Sequence, residues 1–368
     1  MSLKKIEKNR IFGLDIMRTF AILAVMFGHS IFFLPTSIKD QLHAFVIDGV
    51  NIFFVLSGFL IGGILIRDFE KKKTIKVLFN FWIRRWFRTL PNYFLILIVL
   101  ILFSSNTSKE YSYFSYFTFT ENFFYPMPDF FPEAWSLSIE EWFYIIVPSS
   151  ILLLSYIFKK SSLKSLFLYY SLSIIFIFLI IRLERYLHLE IPKGFRTWDL
   201  YFNRQVITRL DSLMFGVFAV FIKHYYPKVF FYKKKLLFAL GLFIIVFSQY
   251  WIHNTHNFFI YTIYFSINSV GVVLLIPFLY KLKSCANNSI CKFISYISLI
   301  SYSLYLVNLS LVSGIIIPYI NQYYSSPYFN IFLFWGISIL ISSVLYKYFE
   351  IPTTNLRDKI KAFKNDYR

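Results

Sequence analysis

The amino-acid sequence predicts an all-α polytopic membrane protein with about ten transmembrane helices. Of its 368 residues, 57% are hydrophobic and only 15% are charged, whereas a soluble globular chain averages about 25% charged residues. The mean hydropathy is +0.59, and many apolar runs approach the roughly 20 residues that cross a bilayer as a helix. Both observations are typical of a chain that lies mostly within a membrane.

Ten apolar segments follow one another along the chain without a linker, a composition break or a soluble domain. They run approximately over residues 11–33, 44–66, 86–104, 135–157, 164–182, 203–222, 236–252, 260–280, 294–318 and 328–348. We therefore expect a single transmembrane domain over residues 1–368, with short basic tails at 1–10 and 349–368.

The distribution of lysine and arginine predicts the orientation of these segments. With the N-terminus in the cytoplasm, 28 of the 38 basic residues lie in predicted cytoplasmic segments, 6 in the opposite connections and four within spans. Because cytoplasmic loops carry the excess of positive charge, both termini are expected in the cytoplasm. Most of the net charge of +19 is then an anchor facing anionic lipids, and it does not indicate a nucleic-acid partner.

Arg18 and His29 occupy the first apolar segment, where an arginine costs several kcal/mol and indicates a functional site. Eleven residues separate them, so they lie about 16 Å apart along a helix and within about 20° of the same face. Asp15 lies near Arg18, so a buried structural pair of these two side chains remains an alternative. The alternative for His29 is an interior hydrogen-bonding role.

Further polar side chains fall at two predicted depths. Those in the outer half of their spans are Asp48, Glu140, Glu141, Arg204, Arg209 and Asp211. Arg204 and Asp211 are seven residues apart and are expected on one helix face. Ser57 lies near the middle of the second span. For Arg209 and Asp211, the alternative is a structural role in which they hold neighbouring helices together.

Arg84, Arg85 and Arg88 lie on the predicted cytoplasmic side. Arg85 and Arg88 are three residues apart, so one face presents two guanidinium groups suited to bidentate contacts with phosphates. An ordinary role as lipid anchors is the alternative for all three. No CxxC motif occurs, and we expect no metal site.

Six stretches, taken in order, resemble the bacterial acyltransferase family 3, which consists of integral-membrane O-acyltransferases that modify glycans. They are Leu14-Asp-Ile-Met-Arg18 with His29-Ser30, Asp48 to Ile61, Arg84 to Pro91, Trp135 to Tyr144, Thr208 to Gly216, and Ser301 to Val307. The resemblance covers about residues 11 to 356. One departure is Asn308, where the family commonly has histidine. Another is the absence of the hydrolase-like domain fused to many members, so a stand-alone membrane domain is expected.

The resemblance implies a ten-helix protein of the bacterial cytoplasmic membrane. Its activity would be transfer of an acyl group, usually acetyl from cytoplasmic acetyl-CoA, to a glycan hydroxyl at the outer side. His29 matches the family's catalytic base, and Arg18 matches an arginine associated with the donor. Acetyl-CoA would be a substrate rather than a permanently bound cofactor, and the oligomeric state is left open.

These observations combine into one mechanistic hypothesis. Arg84, Arg85 and Arg88 would hold the donor phosphates, with Arg18 along the donor path and His29 as the general base. Direct transfer to the acceptor and a transient acyl-histidine both fit the sequence. Glu140, Glu141 or Asp48 would orient the imidazole or bind the sugar, and Arg209 would stabilise the oxyanion. Asp15, Asp48, Ser57 and Asp211 would bind the acceptor or support the site. A transporter or flippase for a lipid-linked sugar is the alternative, because charges at two depths also suit a translocation path.

Overall fold

The computed structural model describes residues 10–103, 112–252, 258–283 and 288–357, and the regular elements within these ranges are helical. The described ranges contain ten long helices: α1 (Phe12–Ser30), α2 (Gly49–Lys71), α3 (Ile75–Phe103), α4 (Ala134–Ile157), α5 (Leu163–Leu187), α6 (Val206–Tyr225), α7 (Lys234–Ile252), α8 (Tyr264–Leu279), α9 (Ser289–Val307) and α10 (Pro327–Leu345). The all-helical class is confirmed, and each predicted apolar segment overlaps one long helix. Most of the predicted tails, residues 1–9 and 358–368, lies outside the described ranges.

Several of these helices are suited to crossing a membrane. In the described ranges seven helical stretches are long and apolar enough, and an eighth qualifies if the bent pair Phe195–Asn203 and Val206–Tyr225 is one span. Helix α8 has 16 residues, fewer than the roughly 20 that a straight crossing needs. The protein is therefore a multi-pass membrane protein, while the count of ten crossings and the cytoplasmic termini stay predictions.

Two helices extend beyond their predicted apolar segments at positions where arginines interrupt the apolar pattern. Helix α3 begins at Ile75 instead of near residue 86, so the arginine motif lies within the helix. Helix α5 continues to Leu187, past Arg182, where the predicted segment ends. That side chain is fully buried and paired with Asp211 at 2.7 Å. Hydropathy alone ends the predicted segment at Arg182. A guanidinium that is paired inside a helix bundle is nevertheless compatible with a membrane helix.

Helices α2 and α6 approach closely through two glycines. A Cβ on Gly58 would lie 1.8 Å from the carbonyl oxygen of Leu213, and one on Gly216 would lie 2.0 Å from that of Val55. Small residues permit such close packing of membrane helices. The contact fixes α2 against α6.

Irregular helical geometry occurs beside the cavities described below. The chain bends by 67° between Phe195–Asn203 and α6, with Arg204 at the bend. The expectation that Arg204 and Asp211 share a helix face is therefore wrong. After Val307, helix α9 continues as a π-helix over Asn308–Ile316. Such widened turns are frequent at functional sites.

Candidate active site

Three cavities lie end to end through the bundle. The basic cavity, beside the start of α1, is lined by polar side chains that include Arg10, Arg18, Arg88, Glu350 and Arg357. The central cavity is lined by Arg18 and Arg88 again, together with Ser57, Arg85 and Glu140. The histidine pocket, at the other end of α1, is lined by His29, Asp48, Glu133 and Arg204. Val50 and Tyr305 line both the central cavity and the histidine pocket, so adjacent cavities share walls.

Arg18 faces two of these cavities because another arginine neutralises its acidic neighbour. Arg10 donates to both carboxylate oxygens of Asp15, at 2.5 and 3.0 Å, and Ser298 donates to the same group at 3.0 Å. The Arg18 guanidinium lies 3.9 Å from Asp15, beyond hydrogen-bonding distance. Asp15 therefore holds the start of α1, and Arg18 lies at the junction of the basic and central cavities.

A hydrogen-bonded group at the central cavity joins Arg85 to Glu140 through Tyr144. The Tyr144 hydroxyl accepts from Arg85 Nη2 at 2.6 Å and donates to Glu140 Oε2 at 2.8 Å. It also lies 2.8 Å from Ser57 Oγ. Since a phenol donates once and accepts twice, Ser57 must be the donor in that contact. Arg85 and Glu140 are thus held at the cavity wall in fixed orientations.

Glu141 and Arg84 lie away from the three cavities. The Glu141 carboxylate accepts from Trp86 Nε1 and Thr89 Oγ1, each at 3.1 Å, and so joins α4 to α3. Arg84 lies 3.4 Å from the Asp68 carboxylate. The two neighbouring glutamates of α4 therefore have different surroundings, and only Glu140 lines a cavity.

His29 has a single possible tautomer when neutral, because of Asn308. The Asn308 Nδ2 group donates to the backbone carbonyls of Leu304 and Tyr305 at 2.7 and 3.0 Å. Carbonyls only accept, so the remaining amide oxygen must be the atom 2.5 Å from His29 Nδ1. Nδ1 therefore carries the proton, and Nε2 carries the lone pair. A neutral imidazole in this state is able to act as a base through Nε2.

Glu133 is an acidic residue of the histidine pocket that sequence reasoning missed. It precedes α4 and is 2% exposed. Its carboxylate accepts from the Ser310 backbone amide at 3.0 Å and from Ser310 Oγ at 2.5 Å. Burial raises the pKa of Glu133 to about 7, although the Ser310 hydrogen bonds partly oppose the shift. Glu133 thus ties the loop before α4 to the π-helix that carries Asn308.

Arg209 and Asp211 have different partners in the structure. Arg209 is fully buried, lies 3.6 Å from the Asp48 carboxylate, and is stacked 4.3 Å from the centre of the Phe265 ring. Asp48 also accepts from the Asn51 amide at 2.9 Å and so caps α2. Asp211 pairs with Arg182, which joins α6 to α5. In the histidine pocket the arginine is Arg204, held 2.6 Å from Asp199.

Some residues of the site that were not predicted as site residues nevertheless lie in or beside recognisable motifs. Tyr144 ends the quoted Trp135 motif, and Asn308 occupies the position where the resembling family commonly has histidine. Glu133 and Arg10 had no such signal, because they become significant only through contacts with residues far along the chain. Within the described ranges no group of three or more His, Cys, Asp or Glu side chains is arranged to hold a metal ion.

Comparison with known proteins identifies the class. Residues 11–347 match the family model described as an acyltransferase domain, and the chain belongs to this acyltransferase 3 family. The family resemblance drawn from the six motifs is thereby confirmed.

The curated relatives are O-acetyltransferases by name. A provisionally named O-acetyltransferase of Staphylococcus aureus strain MRSA252 is 28% identical over 385 residues, covering 96% of this chain and 59% of the relative. The O-acetyltransferase OatA of S. aureus strain NCTC 8325 / PS 47 is 26% identical, covering 95% of this chain and 58% of the relative. The chain therefore spans less than two thirds of the length of either relative. No solved structure matches it significantly.

Proposed function

We propose that the chain is a membrane O-acyltransferase that moves an acyl group, most simply acetyl, from acyl-CoA to a hydroxyl of an envelope glycan. The observation that carries this proposal is the line of three cavities between an arginine-rich end and His29. The O-acetyltransferase names of the relatives support the reaction type. The charge distribution supports a cytoplasmic basic cavity and an extracytoplasmic histidine pocket.

The donor binds with its phosphates in the basic cavity. Arg18, Arg88 and Arg357 line that cavity, and guanidinium groups are suited to bidentate contacts with phosphate. The pantetheine arm then lies in the central cavity, whose wall includes Val50, Phe53 and Leu60. This arrangement assigns the phosphate contacts to Arg88 rather than to Arg84, which pairs with Asp68.

Arg85 and Glu140 act at the middle of the path. Their shared hydrogen bonds through Tyr144 hold both groups at the wall beside the pantetheine arm. The amide groups of that arm can accept from the Arg85 guanidinium and donate to the Glu140 carboxylate. Ser57 supports the same network. Their role is therefore to position the thioester near Val50 and Tyr305, where the central cavity meets the histidine pocket.

His29 performs the chemistry as the general base. Nε2 takes the proton of the acceptor hydroxyl as its oxygen attacks the thioester carbonyl, and the tetrahedral intermediate then expels the CoA thiolate, which takes up that proton. Asn308 holds the ring in the competent tautomer. Arg204, the arginine lining this pocket, stabilises the oxyanion. Arg209 acts indirectly by holding Asp48 at the pocket wall.

Transfer of radiolabel from acetyl-CoA to an envelope glycan fraction in washed membranes tests the proposal. Loss of a general base typically costs 10²–10⁴-fold, so we expect His29→Ala to lower transfer by about a hundredfold or more. His188→Ala is a matched control, because the His188 side chain is largely exposed and pairs with nearby Glu184.

Two outcomes would contradict the proposal. A wild-type chain that moves no label would favour the alternative of a transporter or flippase, which performs no acyl transfer. Robust transfer by a stably inserted His29→Ala variant would remove His29 from the mechanism while leaving the reaction type intact.

A further inference from the structure

We infer that the acceptor glycan binds in a groove between the end of α3 and the π-helix, which we call the acceptor groove, beside the pocket that contains His29. The inference rests on the proposed function for the identity of the reaction. The residues that line the groove include Phe103, Asp129, Phe130, Ser310 and Ser313.

The acceptor groove and the histidine pocket share a wall. Pro132 and Leu309 line both. Their chain neighbours Glu133 and Ser310 are joined by the two hydrogen bonds described above. Glu133 faces the histidine pocket and Ser310 faces the groove. A ligand in the groove is therefore separated from the pocket that contains His29 by this shared wall.

The charge of the described residues that line the groove favours an occupant other than the donor. Among the described residues that line it, Asp129 alone carries a charge, and the charge is negative. A carboxylate repels the phosphates of CoA, and the arginines suited to phosphates line the basic cavity instead. The occupant is accordingly a ligand without anionic groups near Asp129, rich in hydrogen-bonding hydroxyls.

The side chains of the groove suit a sugar ring. The Asp129 carboxylate accepts hydroxyl hydrogen bonds, and the Ser313 hydroxyl provides a donor and an acceptor. The Ser310 hydroxyl donates to Glu133, so it can only accept from a ligand. Phe130 offers an aromatic face whose position is fixed by edge contacts with Tyr113 and Tyr116, at centroid distances of 5.0 and 5.4 Å. A few polar groups beside a fixed apolar surface are typical of small-molecule sites. A neutral pyranose fits this pattern.

Two variants test the groove in the radiolabel assay with the envelope glycan fraction. Ser313→Trp fills the groove, and we expect at least a tenfold loss of transfer to the glycan. Asp129→Asn, on an exposed loop residue, should raise the KM for the glycan several-fold. Asp40→Asn, an exposed carboxylate elsewhere, is the matched control. The thermal stabilisation that acetyl-CoA produces in detergent should stay unchanged in all three variants.

A binding measurement separates failure of the groove from failure of the proposed function. A Ser313→Cys variant is labelled with a membrane-impermeant maleimide. Labelling of the native chain measures the background from its own two cysteines. Slower labelling in the presence of the glycan fraction supports the groove even if no acyl transfer occurs. Unchanged labelling, or wild-type transfer rates in Ser313→Trp and Asp129→Asn, would overturn the inference.

Discussion

Replacing Asn308 by leucine tests how His29 is prepared for catalysis. Leucine has a similar volume, but it removes the oxygen that accepts from His29 Nδ1 and the amide that donates to Leu304 and Tyr305. One neutral hydrogen bond contributes about 0.5–1.5 kcal/mol net. At about 1.4 kcal/mol per factor of ten in rate, losing the preference for one tautomer lowers kcat by up to about tenfold. The KM for acetyl-CoA should not change, because the donor phosphates bind in a different cavity.

A double-mutant cycle separates this positioning role from a structural one. If Asn308 acts through His29, Asn308→Leu should have no further effect on the residual transfer of His29→Ala. Rates are measured with labelled acetyl-CoA on equal amounts of solubilised protein, with thermal stability recorded for each variant. An equal loss of rate in both backgrounds would refute the argument, since a structural defect does not depend on the imidazole.

Three further predictions address the donor, the pH dependence and the buried ion pair. Arg88→Ala should raise the KM for acetyl-CoA about tenfold or more, since hydrogen bonds to charged groups contribute about 1.5–3 kcal/mol. Arg67→Ala, at an exposed arginine, should leave this KM unchanged. Equal increases of KM in the two variants would contradict phosphate binding in the basic cavity. The folded pKa of Glu133, about 7, exceeds its ordinary value of 4.5, so the folded state holds the proton more tightly and stability falls as pH rises from about 4.5 to 7. Glu133→Gln should make the fall of thermal stability in detergent over that window shallower, and an unchanged slope would exclude a contribution from Glu133. Asp211→Ala should cost about 3–5 kcal/mol by leaving Arg182 buried without its charged partner; a loss below 1 kcal/mol in detergent unfolding would contradict that pairing.

Several aspects of the site were predictable and others were not. The helical pattern placed Arg18 and His29 on one face of α1, and the structure places them at successive cavities. Glu140 and Glu141 looked equivalent because they are neighbours in an apolar segment. Their different surroundings depend on α3, whose Trp86 and Thr89 bind Glu141. No local pattern contains that information.

The sequence by itself determined the membrane class, the positions of ten long helices and the family, because hydropathy and short motifs are local properties of the chain. Tertiary structure decided which charges pair: Arg10 with Asp15, Arg84 with Asp68, and Arg182 with Asp211. It also decided that Asn308, 279 residues away, sets the tautomer of His29. Hydrogen bonds and ion pairs act over a few ångströms, so they depend on which helices are neighbours. That arrangement is a property of the packed bundle.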